Sequence, residues 1–291
     1  MNLTYLNTVK AYLNISTTNS DALLTRLISA MSVMALSYMQ RPDLTLQTFI
    51  EYQNGTGGAR MMLRNWPVQS VTSIQISQAS YTSGGSMFGE SGLISPPQTI
   101  PAQASWGQSG YFLDPADGEV AGRPQNIVLA GYNFPRGNAN VMVTYKAGYC
   151  ILNEPQTVPS SSSYTINPLV PRGTFSQDNG VSYSNGTAFT LTTGTPTQGQ
   201  YVVSLNTQSG QATYTFAAAD ANAAVFLNYS FIPADLENAV VDMVGERFKY
   251  MARIGEASHG VGGQETTSFI VKALTDFDKM ALENYRLCFP I

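Results

Sequence analysis

The 291-residue chain is poor in charge, cysteine and histidine, and it lacks a long apolar run. Charged residues make up 12% of it, against the roughly 25% of ordinary soluble domains, while apolar residues stand at 43% and aromatics at 11%. This balance excludes disorder of the highly charged, weakly hydrophobic kind, and a surface short of charge points to assembly. Fifteen Lys and Arg against nineteen Asp and Glu leave a net charge of -4. A broad basic face for holding nucleic acid is thereby excluded, although local basic patches are not. Cys150 and Cys288 are too few for a disulfide framework and form no Cys-x-x-Cys pair, so they read as two inert thiols in a reducing compartment. The N-terminus has no basic segment followed by an apolar one, and no stretch approaches the about 18 apolar residues of a membrane span. The expectation is a chain that stays in the cytosol where it is made and meets no membrane. The Asn-x-Thr triplets at Asn54 and Asn185 are then chance matches.

What is present changes texture along the chain. Leu3, Leu6, Val9 and Leu13 stand at helical spacing, and the short helix they predict stops near Asn14. From Asp21 to Gln40, Leu24, Leu27, Ile28, Met31, Met34, Ala35, Tyr38 and Met39 recur three or four apart, with Ser20 or Asp21 as cap and Arg41-Pro42 as stop. Residues 44–76 alternate and read as strands joined by a hairpin-like loop at Asn54-Gly-Thr-Gly-Gly58. Residues 65–113 then hold one charge, Glu90, in a Ser/Gly/Pro-rich tract, and 77–113 read as a long loop, either solvated or ordered by a partner. Strand character returns over 126–149, where Val141, Val143 and Tyr145 alternate.

Residues 151–230 carry four charges and short alternating runs between Gly, Asn and Pro turns, the pattern of a small all-β sandwich. After Pro233, Leu236, Ala239, Val240, Met243, Val244, Phe248 and Met251 form the stripe of a helix that Gly255 ends; a loop over 255–267 follows. A last helix is expected over Thr275–Leu287, with Phe277, Met280, Ala281 and Tyr285 facing inward. Residues 231–291 hold fifteen of the thirty-four charges, so the deficit belongs to the long loop and the β segment.

Candidate chemistry is sparse. His259 has no second His or Cys near it and reads as an exposed loop residue, which leaves no zinc cluster. The loop Gly260–Thr267 lacks the Gly-Lys-Ser/Thr of a phosphate cradle. Asp114, Asp117 and Glu119 do not have calcium-loop spacing and read as a turn. Asp276 and Asp278 suit a helix start. Tyr183, Tyr201 and Tyr214 could stack on a sugar, although their strand spacing suits core positions better. No cofactor, metal site or enzyme motif is expected.

Three stretches in order resemble the head-tail connector (adaptor) proteins of long-tailed bacteriophages. They are NSDALLTRLISAMSVMALSYMQR followed by EYQNGTGGARMMLRNWPVQSVTSIQI, then LAGYNFPRGNANVMVTYKAGY, and then IPADLENAVVDMVGERFKYMARIG with GQETTSF and a helix ending Glu283-Asn-Tyr-Arg286. The resemblance implies an α+β fold, with a helical connector core carrying strands and a long loop. The core would span residues 1–149 and 232–291, and a small all-β sandwich would be inserted at 150–231. It also implies a structural virion protein rather than an enzyme: a homo-oligomeric ring, dodecameric in this family, assembled in the host cytoplasm. The ring would sit at the neck below the portal protein, pass genomic DNA through its channel without reading sequence, and offer a surface to the stopper or tail protein. Tyr285, Arg286, Leu287, Phe289 and Ile291 become candidate interaction residues, with Leu287–Ile291 as portal anchor. The alternative is a neck or surface decoration protein whose β-domain binds a glycan or another neck protein.

Overall fold

The computed structural model describes residues 1–77, 97–116, 124–251, 258–261, 265–268 and 274–287, and it falls into two compact units. The first comprises Met1–Thr45 with Tyr149–Arg286, and the second Leu46–Gly148 with Leu287–Ile291.

The second unit is built from strands β1 (Gln47–Gly55), β2 (Arg60–Met62), β3 (Val68–Ile76), β4 (Gln98–Ile100), β5 (Gly110–Asp114), β6 (Asn126–Ala130) and β7 (Gly137–Ala147). They form two antiparallel sheets, ordered β1-β7-β3-β4 and β2-β6-β5. In β7 the alternation sends Val141, Val143 and Tyr145 inward, where they meet Ile74 and Ile76 of β3 and, from the other sheet, Ile127 and Leu129. The glycine turn after β1 does not close a hairpin onto β2. β1 pairs instead with β7, with Phe49 opposite Tyr145 and Glu51 opposite Val143, and β2 pairs with β6 in the other sheet.

The first unit begins with α1 (Leu6–Leu13) and α2 (Asp21–Met39). Asn14 and Gln40 end these helices in the left-handed conformation, and Ser20 makes no side-chain cap. Strands β8 (Cys150–Thr157), β9 (Thr165–Ile166), β10 (Gly173–Tyr183), β11 (Thr190–Leu191), β12 (Gln200–Leu205), β13 (Ala212–Phe216) and β14 (Ala224–Pro233) then form two sheets, β10-β14-β8 and β11-β12-β13-β9. The sheets share a core of Phe175, Tyr201, Tyr214, Phe216, Leu227 and Tyr229. Pro233 leads directly from β14 into α3 (Ala234–Tyr250), whose Leu236, Val240 and Val244 pack with Leu24, Ile28 and Met39 of α2. Asp235 and Glu237 in its first turn and Arg247 and Lys249 in its last complement the helix dipole. A backbone hairpin, β15 (Ser258–Val261) with β16 (Glu265–Ser268), and α4 (Asp276–Glu283) complete the described residues.

The fold therefore differs from the expected α+β arrangement with a helical core. Among the described residues sixteen strands in five sheets stand against four α-helices. The helices are easy to read because their apolar periodicity is strong, but the strands of the second unit build a complete core of their own. Part of the expected loop over 77–113 is strand, since β4 and β5 lie in it; residues 78–96 are outside the described residues. The expected loop over 255–267 includes β15 and the start of β16, and Gly255 lies outside the described residues. Of the residues expected inward around α4, Ala281 and Tyr285 are buried while Phe277 and Met280 are exposed. A capping box of Thr275 and Asp278 fixes the start of this helix, and Asp278 and Leu282 are buried as well. Finally, α2 is long and apolar enough to cross a membrane by length and composition, contrary to the reading that no segment is, although a third of its apolar window is buried within the protein.

One kind of polar contact recurs in both units: a carboxylate takes a hydrogen bond from a tyrosine hydroxyl. Tyr145 donates to Glu51 and Tyr229 to Glu154. Tyr201 and Tyr214 both donate to Asp178, at 2.7 and 2.9 Å, Tyr183 donates to Asp220 at 2.6 Å, and Tyr285 donates to Asp235 at 2.5 Å. Glu51 also accepts from Asn65, Gln53 and the Arg64 backbone N–H, so its buried charge is hydrogen-bonded throughout. Burial, reinforced by the neighbouring carboxylate, pushes these phenols above the ordinary tyrosine range, Tyr183 to about 12.

Stability should accordingly be sensitive to alkali. Above pH 10 the unfolded chain ionises its tyrosines while the folded chain holds them neutral, so stabilisation present below pH 10 is lost as the pH climbs toward the folded values. Urea midpoints should be level through pH 9 and fall steadily from pH 10 to 11.5; a level profile across that range would contradict the tyrosine-carboxylate reading. Tyr145→Phe, which leaves Glu51 buried with one donor fewer, should cost about 1–3 kcal/mol in urea unfolding at pH 7.

Candidate assembly surfaces

Little in the structure resembles a reaction centre. Among the described residues no group of three or more His, Cys, Asp or Glu side chains could hold a metal ion. His259 sits in β15 with its backbone opposite Thr267. Asp114 pairs with Arg60 at 2.7 Å across the outside of the β2-β6-β5 sheet, and Asp117 and Glu119 are outside the described residues. Cys150 is buried, and burial raises its thiol to about 11; Cys288 is outside the described residues. Tyr201 and Tyr214 are buried with their hydroxyls on Asp178, so their rings are not available to stack on a sugar.

The predicted interaction residues at the C-terminal end are placed differently from one another. Tyr285 is buried in the first unit: its hydroxyl meets Asp235, its carbonyl accepts from the Arg41 guanidinium, and its ring stands edge-on to Tyr149 at 5.4 Å. Arg286 is exposed, with its guanidinium 5.9 Å from the centre of the Tyr38 ring. Leu287 is buried, and Phe289 and Ile291 lie outside the described residues.

The exposed apolar side chains are the informative feature, because large apolar groups left in water mark contact surfaces when they cluster. In the first unit, Phe277 and Met280 stand three residues apart on the outer side of α4, 60% and 62% exposed, and Val33 is exposed on α2. In the second unit both outer faces carry such groups. On β1, Ile50 and Tyr52 point outward, 60% and 61% exposed, while Glu51 between them points in. Their partners on β7 are Thr144 and Met142, with Ser73 and Gln75 of β3 beyond. On the other sheet Tyr111 and Leu113 pack into the core, so Phe112 faces out. Beside it lies an open cleft of about 870 Å³, lined by Gln103, Trp106, Gln108, Ser109 and Ala130, with Trp106 99% exposed. A second groove of about 400 Å³ lies along Tyr52, Asn54, Thr56, Arg60, Met62 and Arg64.

Sequence reasoning passed over Ile50, Tyr52 and Trp106. The alternation of β1 is legible, but it does not say which of its two faces is inward, and here the inward face carries the carboxylate. Trp106 did leave a signal, as a tryptophan in a tract of Ser, Gly, Gln and Ala with no charge near it.

Residues 2–134 match the family model described as head completion protein. The match covers a little under half of the chain and runs from before α1 to beyond β6. A search of the curated proteins found no match. Over residues 2–134 the chain is similar to head completion proteins.

The buried thiol gives a direct check on the described core. Iodoacetamide at pH 8 should leave Cys150 unmodified in the native protein and alkylate it fully in 6 M urea, read by peptide mass spectrometry; rapid native labelling would contradict its burial.

Proposed function

We propose that the protein is a subunit of a connector ring at the head-tail junction of a long-tailed phage, docked below the portal and extending the channel through which DNA passes. The observation that carries this reading is the head completion match over residues 2–134. The order of the three sequence stretches that resemble connector proteins supports it, and so does the exposure of uncharged apolar groups on strands and helices. In this reading residues 150–231 are an insertion into the connector core, and the segment Leu287–Ile291 contributes to portal docking. The work of such a subunit is assembly. A ring closes through heterologous contacts, and obligate contacts bury roughly 2,000 Å² or more of largely apolar area. A net charge of -4 suits a channel wall along which DNA slides, because phosphates are held where cations are dense.

Tyr201 and Tyr214 are core residues and half-buried Tyr183 stacks on Phe189 with its hydroxyl on Asp220, so these tyrosines give no support to the decoration reading in which they bind a glycan. Size-exclusion chromatography with light scattering, run on the full chain with portal assemblies, tests the proposal. The chain should co-migrate with portal as a multi-subunit complex, and a chain ending at Arg286 should lose that co-migration. A persistent monomer that never associates with portal would overturn the reading.

A further inference from the structure

The unit Leu46–Gly148 leaves apolar side chains on both of its outer faces, where a two-sheet fold exposed to water should alternate to polar groups. Ile50 and Tyr52, with Met142 beside Tyr52 and Thr144 beside Ile50, form one patch on the outside of the β1-β7-β3-β4 sheet. Phe112, Trp106 and Ala130 form the other, on the outside of the β2-β6-β5 sheet. Because the inward residues of both sheets share one core, the two patches lie on opposite sides of the unit.

The first patch is tied to a buried carboxylate. Turning β1 over would bury Ile50 and Tyr52 and release Glu51 to water, while exposing Phe49, which packs against Tyr145. The chain instead keeps Glu51 inside, held by Tyr145, Asn65, Gln53 and the Arg64 N–H, and leaves the apolar pair outside. Local rules are broken in this way mainly where function requires it. At the second patch, a turn containing Gly107 at φ +88° carries Trp106 into solvent. Tryptophan and tyrosine are the side chains that most often dominate contact energies.

We propose that these two patches are the two halves of one contact: the Trp106–Phe112 face of one copy docks on the Ile50–Tyr52 face of the next. This rests on the reading of the chain as a ring subunit and names where its subunits meet. The charge pattern selects a second copy as the occupant. Among the described residues no charged side chain lines the Trp106 cleft, and the nearby Arg60 and Asp114 pair with each other. Around Ile50 and Tyr52 the cross-strand neighbours are uncharged, and Lys146 stands at the end of the patch opposite Thr48. A charged partner would lose hydration on the Trp106 patch with nothing to replace it, whereas the Ile50–Tyr52 face, which carries Lys146, Arg60 and Arg64 only at its margins, offers it an uncharged centre. Met142 can adapt its shape to an aromatic ring. Two different patches on opposite faces of one unit make a head-to-tail contact, which can close into a ring by rotation instead of stopping at a dimer.

Sedimentation velocity on the full chain, alone and with portal assemblies, tests this with two variants at exposed positions, Trp106→Ser and the pair Ile50→Lys with Tyr52→Glu. Circular dichroism melting curves establish that each is folded. Each variant alone should lose the assembled species at least tenfold. An equimolar mixture of the two should give dimers and no ring, since each mixed pair retains one intact contact. If the wild-type chain is monomeric in every condition, the ring reading fails and this proposal with it. If the wild type assembles and both folded variants assemble equally well, these faces are not the subunit contact and the proposal is overturned while the ring reading stands. Folded, monomeric variants whose mixture forms no dimer would show that the two patches do not meet each other.

Discussion

With fifteen basic side chains in 291 residues, the protein has few cations to set against its buried carboxylates, and it sets tyrosine hydroxyls against them instead. Glu51, Glu154, Asp178 and Asp220 each accept from a phenol inside a β-sandwich, and Asp235 accepts from Tyr285 where α3 meets the chain beyond α4. The arrangement suits a β-rich interior. A phenol ring fills core volume, its hydroxyl satisfies an oxygen that would otherwise be costly to bury, and the aromatic rings stack on one another, as Tyr201 does on Tyr214 at 6.0 Å. A lysine in the same place would bring a second charge to desolvate.

This use of tyrosine shapes the outside as well. Charges held inside need no matching ion pairs at the surface, so outer strand faces can stay uncharged without leaving carboxylates unbonded. The clearest case is β1, where the contact that holds Glu51 inward is also what turns Ile50 and Tyr52 outward. The physical chemistry of the core and the exposure of this apolar pair are thus one feature of the sequence.

Much of the local structure can be read from the residues. The apolar period of Asp21–Met39 and of Ala234–Tyr250 defines both long helices, and the alternation of Val141, Val143 and Tyr145 defines β7. What the sequence conceals is non-local. Nothing in Asn54-Gly-Thr-Gly-Gly58 reveals that β1 pairs with a strand some ninety residues on in preference to the strand that follows it. A capping box decides the buried face of α4, placing Asp278 inside, and the apolar Phe277 and Met280 are misleading guides to it. A helical core is what the resemblance to connector proteins implies, while the second unit's strands carry many Ser, Thr, Gln and Asn residues that blur their apolar alternation. The candidate surfaces were less legible still. Whether Glu51 is buried and Ile50 and Tyr52 exposed depends on which face of β1 meets the core, and that is settled by packing alone.

The central claim, that the protein is a structural component of the phage neck, is tested most directly by cryo-electron microscopy of intact virions with this chain fitted to the neck density. The account predicts a ring of copies of both units between portal and tail, closed by contacts between neighbouring subunits. Neck density that admits no copy of the chain, or copies found only on the capsid surface, would contradict it.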